Sequence, residues 1–271
     1  MSDTVFAIIL VTGIGLVAAL GLALASRFMS VPVDKKAQDI EKILPGANCG
    51  ACGFSGCSGY ASAISKSNAP TNLCAVGGEK TAKEIADYLG ISAEKAEKKV
   101  SCVMCSGCKD AALDKALYQG LDSCKSVKAL FGSSKICRFG CIGFGDCVKV
   151  CDFNAIKVEN GVARVSYENC VACGKCIDAC PQKLIEFVPF SEKAVVRCSN
   201  TDKGGTTRKA CTNGCIGCRM CERVCESGAV KVVDNRAVVD YSKCTGCMKC
   251  VEVCKVGCIG ALLKDPVKKA E

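Results

Sequence analysis

Cys170-Val-Ala-Cys173-Gly-Lys-Cys176-Ile-Asp-Ala-Cys180-Pro181 is the stretch that decides the fold. Its C-x2-C-x2-C-x3-C-P spacing is that of thiolates converging on a four-iron cluster, with the fourth Cys turned to the other cluster of a pair. The spacing returns at Cys215, Cys218, Cys221, Cys225 and at Cys244, Cys247, Cys250, Cys254. The crossover gives one ligand set of Cys215, Cys218, Cys221 and Cys254, and a second of Cys244, Cys247, Cys250 and Cys225. Zinc knuckles space their Cys pairs by longer gaps and fit poorly.

Working outward, nine Cys (124, 137, 141, 147, 151, 170, 173, 176 and 180) each recur 74 residues later. Gly140-Cys-Ile-Gly143 recurs as Gly214-Cys-Ile-Gly217, and Tyr167 as Tyr241. This is an internal duplication. In each copy a short alternating stretch reads as a β-hairpin, Ala155–Val158 with Val162–Val165 and Ala229–Val232 with Ala237–Asp240.

The copies differ at one ligand. Phe144 stands where the second repeat has Cys218. Cys137 is the nearest replacement, giving Cys137, Cys141, Cys147 and Cys180 beside Cys151, Cys170, Cys173 and Cys176. A three-iron cluster or another fourth ligand also fits. Cys102, Cys105, Cys108 and Cys124 are then left to complete a further cluster, with Cys124 and Cys137 able to exchange roles. Upstream, Cys49, Cys52, Cys57 and Cys74 form C-x2-C-x4-C-x16-C in a Gly-rich loop whose N–H groups can approach cluster sulfurs closely. Six clusters use 24 of the 27 Cys. Cys198, Cys211 and Cys258 remain and read as buried inert thiols.

Composition agrees. An odd number of Cys in tight triplets, over 271 residues, argues against a disulfide scaffold. The absence of His excludes mixed Cys/His zinc sites and imidazole bases. With no Trp and 5% aromatic residues, metal ligation substitutes for a large core. The formal charge is +9. Six clusters with their thiolates, each about −2, bring the loaded chain to about −3, so the basic residues read as compensation and no nucleic-acid partner is expected.

Val5–Ala25 carries no charge and is long enough to span a bilayer. Gly15, Ala19 and Ala23 put small residues on one face, suited to packing on another membrane helix. Met1–Thr4 lacks Lys and Arg, unlike the start of a signal peptide. Gly13–Ala18 matches a dinucleotide fingerprint only formally, since no βαβ unit surrounds it. Arg27, Lys35, Lys36 and Lys42 follow the span, which places the C-terminal bulk in the cytoplasm. Glu79–Lys99 reads as a charged helix interrupted at Gly90, and Lys264–Glu271 as a frayed tail.

Asn48-Cys-Gly-Ala-Cys-Gly-Phe-Ser-Gly-Cys57 with Cys74 resembles the four-Cys iron–sulfur domain of the Rnf complex B subunit. The anchor, that domain and tandem ferredoxin modules resemble the same family over essentially the whole chain. Arg138–Cys147 and Cys198–Gly204 are similar to its extended form. The resemblance implies an electron-transfer subunit of an ion-translocating ferredoxin:NAD+ oxidoreductase. That subunit takes electrons from reduced ferredoxin and passes them to membrane and flavin-bearing subunits, with no catalytic residues of its own. An anchored polyferredoxin serving another membrane oxidoreductase or hydrogenase is the alternative. Asp152, Glu226 and Lys255 replace the Pro that usually follows the fourth Cys.

The expected fold is α+β. A transmembrane anchor (1–28) leads to a four-Cys domain (29–80), then a connector with an extra Cys cluster (81–123). Two ferredoxin-like repeats follow (124–197 and 198–271).

Overall fold

The computed structural model describes residues 3–28, 34–92, 98–191 and 193–262. Helix α1 (Asp3–Phe28) contains the apolar stretch Val5–Leu24, none of it buried. A helix apolar all round and packed on nothing is suited to hydrocarbon, and 20 residues reach about 30 Å.

The next unit is helical. α2 (Lys35–Ile43) starts where Asp34 accepts hydrogen bonds from Lys36 N (3.0 Å) and Ala37 N (3.3 Å). Ile40 and Leu44 then face Tyr60, Ala61 and Ile64 of α3 (Cys57–Ser65) and Ile85 of α4 (Gly78–Leu89). Tyr60 is buried with its hydroxyl satisfied, donating to Pro70 O (2.7 Å) and accepting from Leu73 N (3.0 Å). Gly90, left-handed at φ 68°, ends α4, so the charged helix stops at the expected break. Lys99 is in a strand instead, because β1 (Lys99–Val103) finds a partner far along the chain. Residues 93–97 and the tail expected to fray lie outside the described residues.

The remainder is two copies of one unit. The first comprises β1, α5 (Cys124–Phe131), α6 (Asp146–Lys149), β2 (Ile156–Glu159), β3 (Val162–Val165), α7 (Lys175–Ala179) and β4 (Ile185–Pro189). The second comprises β5 (Ala194–Val196), α8 (Gly204–Ala210), α9 (Met220–Arg223), β6 (Val230–Val233), β7 (Arg236–Val239), α10 (Lys249–Glu252) and β8 (Ile259–Ala261). Hairpins β2–β3 and β6–β7 pair antiparallel around Asn160-Gly161 and Asp234-Asn235. All four turn residues have positive φ, as two-residue hairpin turns require.

A non-local pair closes each unit: β1 with β4 (Val103 opposite Ile185) and β5 with β8 (Val196 opposite Ile259). Val100, Val162, Leu184, Ile185 and Val188 fill the core of the first unit, while Val196, Val230, Ala237 and Ile259 fill the second. Gly143 and Gly217 let each motif loop touch the hairpin turn. A Cβ there would lie 2.7 Å from Gly161 O and 2.9 Å from Asn235 O.

Candidate metal centres

Among the described residues, no three Cys, Asp or Glu close tightly enough to hold a single metal ion. A tetrahedral zinc would draw four sulfurs to about 3.8 Å from one another. Sixteen of the thiols stand instead around four cavities, the wider arrangement that an inorganic iron–sulfur core demands.

In the helical unit, Cys49, Cys52, Cys57 and Cys74 line a cavity of about 320 Å³. The loop is shaped by Asn48, itself at φ 45°, whose Oδ1 accepts from Cys57 N at 2.8 Å. Cys74 Sγ accepts from Gly77 N (3.3 Å). Burial pushes the Cys74 thiol up, with the thiols of Cys57, Cys49 and Cys52 adding to the effect.

In the first ferredoxin-like unit, Cys124, Cys141, Cys147 and Cys180 line a cavity of about 400 Å³. Cys137 is not among them and Cys124 is, the exchange of roles that the spacing left open. Cys124 takes that place because it opens α5, whose N-terminus is fixed by Ser123 and by Asp146. The Asp146 carboxylate accepts from Ser123 Oγ and Lys125 N, both at 2.9 Å. Burial would raise the Asp146 carboxyl, but the hydrogen bonds from Lys125 N, Ser123 Oγ and Cys124 N outweigh it and hold it low. Phe144, in the missing ligand's position, stacks edge-on with Tyr118 (5.4 Å). The Cys147 thiol is pushed up to about 12 by burial first, then by the neighbouring thiols of Cys141, Cys124 and Cys180.

Cys151, Cys170, Cys173 and Cys176 line the adjacent cavity, of about 300 Å³. Ser101 N donates to Cys170 Sγ and Ala155 N to Cys151 Sγ, both at 3.4 Å. In the second unit the thiols fall into two groups. Cys221, pushed up to about 11 by burial, has Cys215, Cys218 and Cys254 as its interacting thiols. Cys250, also at about 11 through burial, has Cys244, Cys225 and Cys247.

The expected group of Cys102, Cys105, Cys108 and Cys124 does not converge. β1 pins Cys102 in the core, 3.6 Å from Tyr167 Oη, while α5 carries Cys124 to the other cavity. Cys108 packs with Ala111, Ala112 and Cys211. Cys105 and Cys137 instead line a cavity of about 350 Å³ together with Cys198 and Cys211, two thiols to which motif spacing assigns no role. The signal that pairs them is a strand register, which motif spacing does not carry.

Cavities bordered by four thiols, on a duplicated hairpin-and-helix unit, define an iron–sulfur electron-transfer protein. Family profiles match in the same places: an Fe-S cluster domain over residues 44–76, and 4Fe-4S dicluster domains over 140–185 and 214–258. The B subunit of the Na+-translocating ferredoxin:NAD+ oxidoreductase complex of Acetobacterium woodii is 40% identical over 84% of this chain and 69% of its own length. The B subunit of the ion-translocating oxidoreductase complex of Methanosarcina acetivorans is 39% identical over 87% of this chain and 90% of its own. The proton-translocating counterpart of Clostridium ljungdahlii is 37% identical, over 89% and 86%. The chain belongs to the Rnf family of B subunits of ion-translocating oxidoreductase complexes. It is an electron-transfer subunit of a multi-subunit enzyme complex and binds [4Fe–4S] clusters.

Proposed function

We propose that this chain receives electrons from reduced ferredoxin and relays them to partner membrane and flavin-bearing subunits, in a complex that couples ferredoxin oxidation and NAD+ reduction to ion translocation. The activities for which the Acetobacterium and Clostridium relatives are named support this reading. A bound [4Fe–4S] cluster exchanges one electron without making or breaking a substrate bond. The protein's part is to hold, space and insulate such groups.

One observation carries the relay. Cys147 and Cys151 border neighbouring cavities and stand four residues apart across α6, about 6 Å of helical rise. Cys176 and Cys180 repeat this across α7. Two single helical turns therefore join the paired centres, and α9 and α10 place Cys221–Cys225 and Cys250–Cys254 likewise. The ligand sets are Cys49, Cys52, Cys57, Cys74; Cys124, Cys141, Cys147, Cys180; Cys151, Cys170, Cys173, Cys176; Cys215, Cys218, Cys221, Cys254; and Cys225, Cys244, Cys247, Cys250.

Helix α1 is the anchor, and the basic residues that follow it favour a cytoplasmic C-terminal region. The pairing of β1 with β4 supports a first ferredoxin-like unit that begins at Lys99. The test is to mix reduced ferredoxin with the anaerobically purified complex. Bleaching of the cluster absorbance of this chain is expected. Clusters that bleach with dithionite but not with reduced ferredoxin would remove the proposed donor.

A further inference from the structure

We infer that Cys105, Cys137, Cys198 and Cys211 hold a sixth [4Fe–4S] cluster at the junction of the two ferredoxin-like units, two ligands from each. All four lie outside the segments matched by the family profiles. The inference needs only the cluster-binding class of the chain, whatever its electron donor.

The four thiols line one cavity, as four thiols line each of the other two cavities of the first unit. They are 7–9% exposed, as closed as Cys147 or Cys176. Their arrangement is pseudo-symmetric. Met104 N donates to Leu184 O and Arg197 N to Cys258 O, both at 2.7 Å, so the residue preceding Cys105 matches the one preceding Cys198. Cys105 Sγ accepts from Cys141 N (3.4 Å) as Cys198 Sγ accepts from Cys215 N (3.2 Å), and Cys141 and Cys215 are repeat mates. Cys137 and Cys211 are repeat mates as well, each closing a turn with the N–H of Gly140 or Gly214.

Local hydrogen bonding is that of cluster ligands. Each sulfur accepts the N–H two residues onward: Gly107 for Cys105, Phe139 for Cys137, Asn200 for Cys198 and Asn213 for Cys211. Asn200 Nδ2 adds a side-chain donor to Cys137 Sγ (3.5 Å). Four buried sulfurs so supplied with donors are arranged for negative charge on sulfur. Buried cations supply the counter-charge. Lys135 is 4% exposed, and its ammonium donates to Gly107 O (2.8 Å) and Gly161 O (2.9 Å). Arg197, 2% exposed, lines the cavity itself. A dianionic cluster offsets what such burial costs.

The test uses the full chain, anaerobically reconstituted. Cys198→Ser/Cys211→Ser is expected to lose about four iron and four sulfide of about 24 each, while Cys102→Ser/Cys108→Ser loses none. Full iron in the first variant, or a four-iron loss in the second, would overturn the assignment. If the first variant loses more than one cluster's iron through misfolding, Asn200→Asp decides. It keeps the acceptor for Asp202 N (2.6 Å) but removes the donor to Cys137. Unchanged iron with a single cluster shifted to more negative potential supports the site. Unchanged iron with no shift removes it.

Discussion

Cys254 Sγ and Cys258 Sγ lie 3.6 Å apart, and in the first repeat the place of Cys258 is taken by Leu184. Cys258 is 1% exposed and stays protonated. Its S–H hydrogen bonding holds the Cys254 thiol down to about 5 and that of Cys215 to about 6. Beside a deprotonated, cluster-bound Cys254, the proton at this contact belongs to Cys258, which makes Cys258 a donor and not a ligand. Cys258→Ala should keep its full iron count and cost about 1 kcal/mol in stability. Loss of a bond worth about 0.5–1 kcal/mol should move one cluster about 20–40 mV more negative, as an electrochemical titration would reveal. In the apo-chain the same change returns Cys215 and Cys254 toward ordinary thiol values. Cluster loading of the variant should then slow at pH 6.5 more than at pH 8.5, by rate of absorbance gain.

Phe144 and Cys124 form a natural exchange. Cys124 arrives at the first-unit cavity from α5, and Phe144 packs against Tyr118 in the position where Cys218 serves the second unit. Cys124→Ser should lose about four iron. Adding Phe144→Cys to that variant rebuilds C-x2-C-x2-C within the loop and should restore them, at a stability cost of about 3 kcal/mol for the lost ring. Iron analysis and the spectrum of the reduced protein decide it. If the double variant stays four iron short, residue 144 does not face the cavity as Cys218 does.

Asn48 organises the first centre through one bond, from Cys57 N to its Oδ1 at 2.8 Å. Ala at this position leaves the donor unpaired at the start of α3 and places a less tolerant residue at φ 45°. Asn48→Ala should destabilise the domain by about 1–3 kcal/mol and release its iron to a chelator faster than wild type. Asn48→Asp keeps the acceptor and should recover most of the lost resistance. Equal release rates from the Ala and Asp variants would show that the bond has no part in holding the loop.

The duplication was legible because ligand spacing and hairpin patterning are local. The 74-residue register placed β2–β3 and β6–β7 within about a residue. What was not legible depends on pairing across the chain. Cys105 matches Cys198 at an offset of 93 residues, not 74, and the 19-residue difference is an insertion in the first unit. At the 74-residue offset Cys198 therefore falls on Cys124. Only the β1–β4 and β5–β8 registers disclose the other correspondence. The insertion also supplies Ala112, whose bridge to Cys211 ties the units together, and Asp114, which bridges to Lys135 within the first unit.

Two glycines separate backbone strain from steric contact. Gly217 (φ 65°) and Gly228 (φ 64°) have the same left-handed backbone, so an L side chain costs about 1–2 kcal/mol at either. Their surroundings differ. A Cβ on Gly228 meets nothing within 4 Å, whereas one on Gly217 stands 2.9 Å from Asn235 O and 3.2 Å from Asn235 Cα. Those atoms are backbone of a turn already held at positive φ and bonded through Asn235 Nδ2 to Thr201 O (3.0 Å). They have little room to yield. Gly217→Ala must push the motif loop away from the hairpin and displace Cys215 and Cys218 on either side of it. Gly228→Ala should therefore lower stability by about 1 kcal/mol with all iron retained. Gly217→Ala should cost about 1–3 kcal/mol more and lose the iron of the cluster ligated by Cys215, Cys218, Cys221 and Cys254. Paired denaturation curves and iron analyses of the two variants make the comparison, and matched iron contents would show that the loop accommodates the methyl group.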